Sequence, residues 1–262
     1  MNRKEGKKRL FFGMSLFVPW PDTFPKGRVL DMNSRHLTLA FLGDCFFSEL
    51  YNFPVPSYSL GSVGYFDELL FLPKRKPKVA SWHLKCLIEN GLFEYQRSLI
   101  DWLLSCGYEL ERRDFLPHVT VARSPFNEEE WSSAFKPLPF CLTGLHLYES
   151  LGNLVYKPLK SYPLLQSIQR EFFGKSSCFL IRWKELEDLF ISVQMAIAYA
   201  FPNFIENVLL KESFENLKSL ERTVENILEQ FLYPFRLLSL KTVSFERDRK
   251  ISTSRLVLIE KH

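Results

Sequence analysis

Two matching tetrads constrain this chain more than anything else in it. His36-Leu37-Thr38-Leu39 and His118-Val119-Thr120-Val121 share the form His-apolar-Thr-apolar. Successive side chains of a β-strand point to opposite faces. Each tetrad therefore predicts a strand with an imidazole and a hydroxyl on one face and two aliphatic side chains turned into a core. Pro117 cannot donate a ladder hydrogen bond, which suits the start of such a strand. A single His-x-Thr strand is ordinarily structural, its imidazole bonded to a backbone carbonyl. Two copies of the same period in one chain argue for a shared site.

A hydroxyl can donate to a phosphate oxygen, and an imidazole can move a proton. In-line displacement at phosphorus needs a base on the entering oxygen and an acid on the leaving one. Two imidazoles across a cleft supply that pair, and their ordinary pKa near 6.5 lets each be base or cation around neutral pH. Thr38 and Thr120 would then hold the non-bridging oxygens. No cofactor is expected. Two His without adjacent Asp, Glu or Cys fall short of the three protein ligands a catalytic zinc wants.

The 262 residues are 46% apolar and 15% aromatic, with 25 Phe, so a large aromatic core is available and global disorder is excluded. A net charge of +4 permits an anionic partner without arguing for nucleic acid. The five cysteines, at 45, 86, 106, 141 and 178, form no CxxC pair and read as reduced thiols of a cytoplasmic protein. Basic Met1 to Lys8 followed by apolar Leu10 to Val18 overlaps the outline of a signal peptide. Pro19-Trp20-Pro21 stands where a small-residue cleavage site belongs, so the stretch is read as a basic tail entering a buried strand. No run approaches the ~20 apolar residues of a membrane helix.

In chain order, Leu10 to Val18 predicts a strand, Pro19 to Asn33 a Pro-rich loop, and Arg35 to Leu42 the first tetrad strand. A short helix is expected around Phe46 to Asn52. Strands are expected at Ser57 to Val63, Glu68 to Leu72 and Val79 to Cys86, with basic Pro73 to Lys78 as a loop that attracts phosphates if it overhangs the site. Helical spacing marks Gly91 to Leu104, and Asn127 to Phe135 reads as a short acidic helix. Phe140 to Tyr148 and Leu154 to Lys160 form a hairpin about Gly152-Asn153. Beyond Tyr162-Pro163 the expectation is a second, smaller α+β unit, 164–262. It has a helix at Leu164 to Phe173, a strand at Phe179 to Trp183, and helices at Lys184 to Phe201 and Ser213 to Leu232. Strands at Leu240 to Phe245 and Ser254 to Ile259 complete it.

With these motifs in hand, the chain resembles the 2H phosphoesterases, and among them the RNA 2′,3′-cyclic phosphodiesterases also called 2′-5′ RNA ligases. Arg9-Leu10-Phe11-Phe12, His36 through Gly43, Gly107-Tyr108, Pro117 through Arg123, Leu147-Tyr148-Glu149-Ser150 and Tyr156 carry the resemblance. It covers about residues 9 to 163 and sets a 1–163 phosphoesterase domain. The resemblance implies a two-lobed α+β fold with a water-filled cleft between two antiparallel sheets. It implies hydrolysis of a terminal RNA 2′,3′-cyclic phosphate to a 2′-phosphate. It carries His36 and His118 over as the acid/base pair and Thr38 and Thr120 as phosphate binders. In related enzymes the second-motif His commonly activates water; the residues alone leave that assignment open. Arg123 matches the family's motif-end Arg, which implies help with the phosphate or the second lobe; on the other reading it makes a surface ion pair. The stretches 17–36 and 45–56 are too short for the family's usual helices, so the first lobe reads as trimmed.

Residues 179 to 201 and 225 to 238 resemble archease, a cofactor of another RNA ligase, although core packing of amphipathic helices explains them equally well. The archease His-Thr-Ala-Asp motif is absent, so no metal site is carried over. Expected partners are RNA 3′ ends or small cyclic nucleotides, with an RNA-processing protein docking through 164–262 as a hypothesis. The rival readings are an RNA-end-binding module that does not cut, and 2′-5′ joining at the same site. Gly174-Lys175-Ser176 imitates the end of a phosphate loop, but Gln169 stands where its first Gly belongs. His83, His146 and His262 have no partner pattern. Trp82, Phe115 and Tyr148 could stack a base, with core packing the better account of each.

Overall fold

The computed structural model describes residues 6–47, 54–58, 60–87, 91–110, 114–162, 164–173, 176–208, 214–233 and 235–260. The protein is mixed α+β. Its first layer is built from β1 (Lys8–Phe17), β2 (Arg28–Val29), β3 (Leu37–Cys45), β4 (Val63–Leu72), β5 (Val79–Cys86), β6 (His118–Arg123), β7 (Pro139–Gly152) and β8 (Val155–Tyr162). Among the described residues the order is β1-β3-β6-β5-β4-β7-β8. Strand β7 also pairs with β1, and β2 pairs with β6. Strands β1, β3, β6, β5, β4 and β7 therefore close a circuit of antiparallel pairs. The two antiparallel halves expected of the fold, β3-β1-β7-β8 and β4-β5-β6-β2, are joined along two narrow seams. One is Leu37↔Val119 between β3 and β6. The other runs from Val63↔Cys141 to Tyr65↔Pro139 between β4 and β7.

Apolar side chains set this arrangement. Leu10, Phe12 and Met14 of β1, Leu37 of β3, Val119 and Val121 of β6 and Leu147 of β7 are fully buried in one core. Helix α1 (Leu92–Ser105) buries Leu92, Tyr95, Leu99 and Leu103, one face at helical spacing. It is tied to the sheet by Gln96 Nε2 donating to the Leu39 carbonyl at 3.1 Å. The short α2 (Glu128–Ala134) is capped by the Asn127 side chain, which accepts from the amides of Glu129 and Glu130.

A second sheet has the order β11-β12-β10-β9, formed by β9 (Ile168–Phe173), β10 (Ser176–Trp183), β11 (Phe235–Glu246) and β12 (Ile251–Glu260). It packs with α3 (Leu186–Ala200) and α4 (Leu217–Phe231). Helix α3 is buried nearly all round because it lies between the sheets. Its core includes Phe179 and Leu256 of the second sheet and Val63 and Cys141 of the first. Tyr199 of α3 stacks on Phe17 at 4.7 Å and donates its hydroxyl to the Phe17 carbonyl.

Residues 168–173 form a strand where the sequence predicts a helix. Spacing in so short an apolar run fits either state. Pairing decides it, because β10 satisfies β9 from Ile168↔Ile181 to Ser176↔Phe173. The strand expected at Ser57 to Val63 begins only at Val63, preceded by a lone bridge from Leu60 to Leu165. Most of the helix expected around Phe46 to Asn52 lies outside the described residues. None of the five cysteines, all among the described residues, forms a disulfide. Among the described residues no helix is long and apolar enough to cross a membrane.

Gly64 is a pinch point of the ring. It faces Cys86 of β5 on one side and Phe140 of β7 on the other. A Cβ built there would sit 2.0 Å from the Lys85 carbonyl oxygen, a backbone atom that cannot swing aside. Gly64→Ala is expected to cost about 3 kcal/mol or more by forcing β4 and β5 apart. Urea unfolding with an unchanged m-value and a much lower midpoint checks this.

Candidate active site

The two tetrads meet. Leu37 and Val119, the apolar second positions, are both fully buried and pair with each other across antiparallel strands. That register sets His36 level with Thr120 and Thr38 level with His118. Each imidazole thus lies beside the other motif's hydroxyl in a local two-fold arrangement. All four side chains, with Arg123, line one open cavity of about 510 Å³.

Both imidazoles are held the same way. His36 Nδ1 lies 2.8 Å from the Ser34 carbonyl, and His118 Nδ1 lies 2.8 Å from the Leu116 carbonyl, two residues upstream in each case. A carbonyl only accepts, so Nδ1 carries the hydrogen, and Nε2 of the neutral ring keeps its lone pair. The His36 ring sits among Phe11 and Tyr156, each at 4.7 Å, and Tyr148 at 5.3 Å. This apolar enclosure pushes its pKa down to about 4. The Ser34 carbonyl partly opposes the shift, and the nearby positive groups His118 and Arg123 add to it. Burial also lowers His118, opposed by the Leu116 carbonyl, with a contribution from His83. His83 lies opposite His118 on β5 and bonds Asp67 through Nδ1 at 2.7 Å. Ser81, opposite Thr120, is 3.3 Å from the Thr120 hydroxyl.

Strict alternation would turn Arg123 inward with Val119 and Val121. A bulge prevents it. The β5–β6 register passes from Ala80↔Ala122 to Ser81↔Thr120, leaving Val121 as an extra residue. Val121 and Ala122 are consequently both buried, and Arg123 emerges on the face of His118 and Thr120. The first motif repeats the device. Its register passes from Phe12↔Ala40 to Gly13↔Thr38, so Leu39 and Ala40 are buried together and Phe41 emerges. The two sixth positions, Phe41 and Arg123, both line the cavity.

The cavity also takes in residues that the sequence did not single out as site residues. Arg9 and Phe11 come from β1, Arg28 and Leu30 from the loop read as merely Pro-rich, and Tyr156 from β8. The Arg9 guanidinium stacks over Phe41 at 5.1 Å. Arg28 pairs across β2–β6 with Arg123. Arg35 clamps this loop. It is sandwiched between Trp20 and Phe24 at 4.7 and 4.6 Å, and donates twice to the Leu30 carbonyl, at 3.1 and 3.0 Å.

Of the other residues considered, Trp82 is buried in the core, and Phe115 packs edge-on against Phe93. Tyr148 is also buried, yet its ring faces His36. His146 bonds Ser15 at 3.0 Å and Ser161 at 2.9 Å. Among the described residues no three His, Cys, Asp or Glu side chains converge as a metal site would require. His262, Gly174 and Lys175 lie outside the described residues.

No family model matches the chain. A curated RNA 2′,3′-cyclic phosphodiesterase of Geobacillus stearothermophilus is 29% identical over 153 residues, covering 50% of this chain and 45% of that protein. The chain thus spans less than half the length of that relative. Among solved structures, LigT of E. coli in its apo form is similar with a TM-score of 0.47 and 23% identity, over 62% of this chain and all of that one. TT0787 of Thermus thermophilus is similar with a TM-score of 0.43 and 20% identity, over 60% of this chain and 97% of that one. With two His-x-Thr strands meeting at one cavity, the chain is thus similar in sequence, over half its length, to an RNA 2′,3′-cyclic phosphodiesterase.

Proposed function

We propose that this protein hydrolyses the 2′,3′-cyclic phosphate at RNA 3′ ends to a 2′-phosphate, with His36 and His118 as the acid/base pair. The observation that carries the reading is the meeting of β3 and β6 at Leu37↔Val119, with both imidazoles and both hydroxyls lining a single cavity. One neutral imidazole takes a proton from water through Nε2 as the water oxygen bonds to phosphorus. The P–O3′ bond breaks, and the second imidazole, as its cation, gives its proton to the 3′ oxygen. Thr38 and Thr120 donate to the non-bridging oxygens and offset the charge that builds on them. No metal takes part in this scheme. The sequence relative's activity on RNA 2′,3′-cyclic phosphate supports the choice of substrate.

The direct test is incubation with a nucleoside 2′,3′-cyclic phosphate and identification of the product isomer. Formation of 2′-phosphate supports the reading, while binding without product points to an RNA-end-binding module. His36→Ala and His118→Ala are each expected to lower kcat by about 10²–10⁴-fold with the thermal transition retained. EDTA should leave the rate unchanged, and loss of activity on chelation would replace this scheme with a metal-assisted one.

The pH dependence follows from the enclosure of the rings. In the free protein both imidazoles titrate below their ordinary 6.5, His36 near 4. A bound phosphate anion favours the charged imidazole and moves these values upward. The bell of kcat/KM, which reports the free protein, is therefore expected to lie on the acidic side of the bell of kcat. Coincident profiles centred at or above pH 6.5 would show that burial does not govern the two rings.

A further inference from the structure

We infer that Arg28 and Arg123 form a second phosphate subsite, which takes a phosphate carried on the 5′ oxygen of the nucleotide whose cyclic phosphate lies between the imidazoles. The inference rests on the activity proposed above for the occupant of the first site. A cyclic phosphodiester carries a single negative charge, and the two imidazoles and two hydroxyls already address it. The described lining of the same cavity adds three guanidiniums, Arg9, Arg28 and Arg123, and no carboxylate. Among the described residues none of the three is ion-paired within the protein. Arg9 is engaged with the Phe41 ring. Arg28 and Arg123 remain, cross-strand neighbours with exposed side chains.

Two such cations side by side repel each other unless an anion joins them. The protein holds them together nevertheless. On one flank the Lys26 carbonyl accepts from Trp131 Nε1 at 3.1 Å. On the other, the Leu30 amide donates to the Val121 carbonyl at 2.8 Å, while the Leu30 carbonyl accepts from buried Arg35. Strand β2 is two residues long, and its register fixes Arg28 opposite Arg123. The bulge at Val121 supplies the other half by bringing Arg123 onto the cavity face. Paired guanidiniums suit the oxygens of a phosphate, which they bind through parallel N–H donors.

Beyond this pair the surface stays basic. The Ser124 amide, next to Arg123, donates to the Lys78 carbonyl at 2.9 Å. That contact places the exposed Lys74-Arg75-Lys76 loop beside the Arg123 end of β6. The 5′ phosphate can thus belong to an RNA strand leaving along this loop or to a 5′-phosphorylated mononucleotide.

Product analogues separate the subsite from the chemistry, because they bind without turnover. Calorimetry on the full chain would compare adenosine 2′-phosphate with adenosine 2′,5′-bisphosphate. The bisphosphate is expected to bind at least about tenfold tighter, and Arg28→Ala to shrink that ratio to within about threefold, with Arg28→Lys between. Equal affinity for the two ligands, or a ratio unchanged in Arg28→Ala, overturns the subsite. A dinucleotide ending in a 2′-phosphate distinguishes the sources. Affinity above that of the bisphosphate, lost when Lys74, Arg75 and Lys76 become Ala, identifies an RNA strand; no gain identifies a mononucleotide. If adenosine 2′,3′-cyclic phosphate is not hydrolysed while the affinity ratio holds, the proposed activity fails and the subsite stands.

Discussion

The antiparallel contact of Leu37 with Val119 governs the rest of the structure. It is one residue pair, and each member is apolar and fully buried. Because side chains alternate along a strand, burying these two obliges their neighbours to face the other way. His36, Thr38, His118 and Thr120 thus share a face, and the antiparallel sense places each imidazole beside the opposite hydroxyl. The driving force is the removal of aliphatic surface from water, and the chemistry is a by-product of where that surface lies. So short a contact could not hold two strands alone. The ring through β1, β7, β4 and β5 holds them from behind, which is why the crowded turnover of partners at Gly64 matters to a site formed elsewhere.

Each motif extends two residues past its tetrad. In both, a bulge buries the fourth and fifth residues together and turns the sixth into the cavity. The backbone plan is therefore symmetric, while the side chains it delivers are Phe41 and Arg123. A nearly two-fold pair of imidazoles has no intrinsic direction. An aromatic face at one end and a guanidinium at the other give it one, which suits the apolar base and anionic backbone of the substrate proposed above. The charge of Arg123 is felt at His36, so the asymmetry reaches the imidazoles as well.

The tetrads were legible because period two is a local property, and they alone brought out His36, Thr38, His118 and Thr120. Strand β1 with its apolar run, the alternating β5, and helix α1 with its regular Leu92, Tyr95, Leu99 and Leu103 were legible for similar reasons. The exposure of Arg123 was not, since alternation alone points it inward and only the β5 register shows the bulge. Arg28 left no local signal either. Its strand is two residues long, and its meaning comes from pairing with a strand far along the chain. Strand β9 was misread because Leu164, Leu165, Ile168 and Phe172 satisfy a helical period, while the hydrogen bonds that decide the matter come from β10.

The shortness of the segment before His36 looked like a defect in the first lobe. The structure gives it a different sense. Arg35 fills the gap between Trp20 and Phe24, and its burial pushes its own pKa down to about 10, with nearby Asp31 opposing the shift. A buried guanidinium is tolerable only when its donors are satisfied, and the Leu30 carbonyl takes two of them. The same loop contains Ser34, whose carbonyl fixes the His36 tautomer, and Arg28, which faces Arg123. One buried cation thus supports the segment that sets the orientation of the first imidazole and the position of the second cationic group.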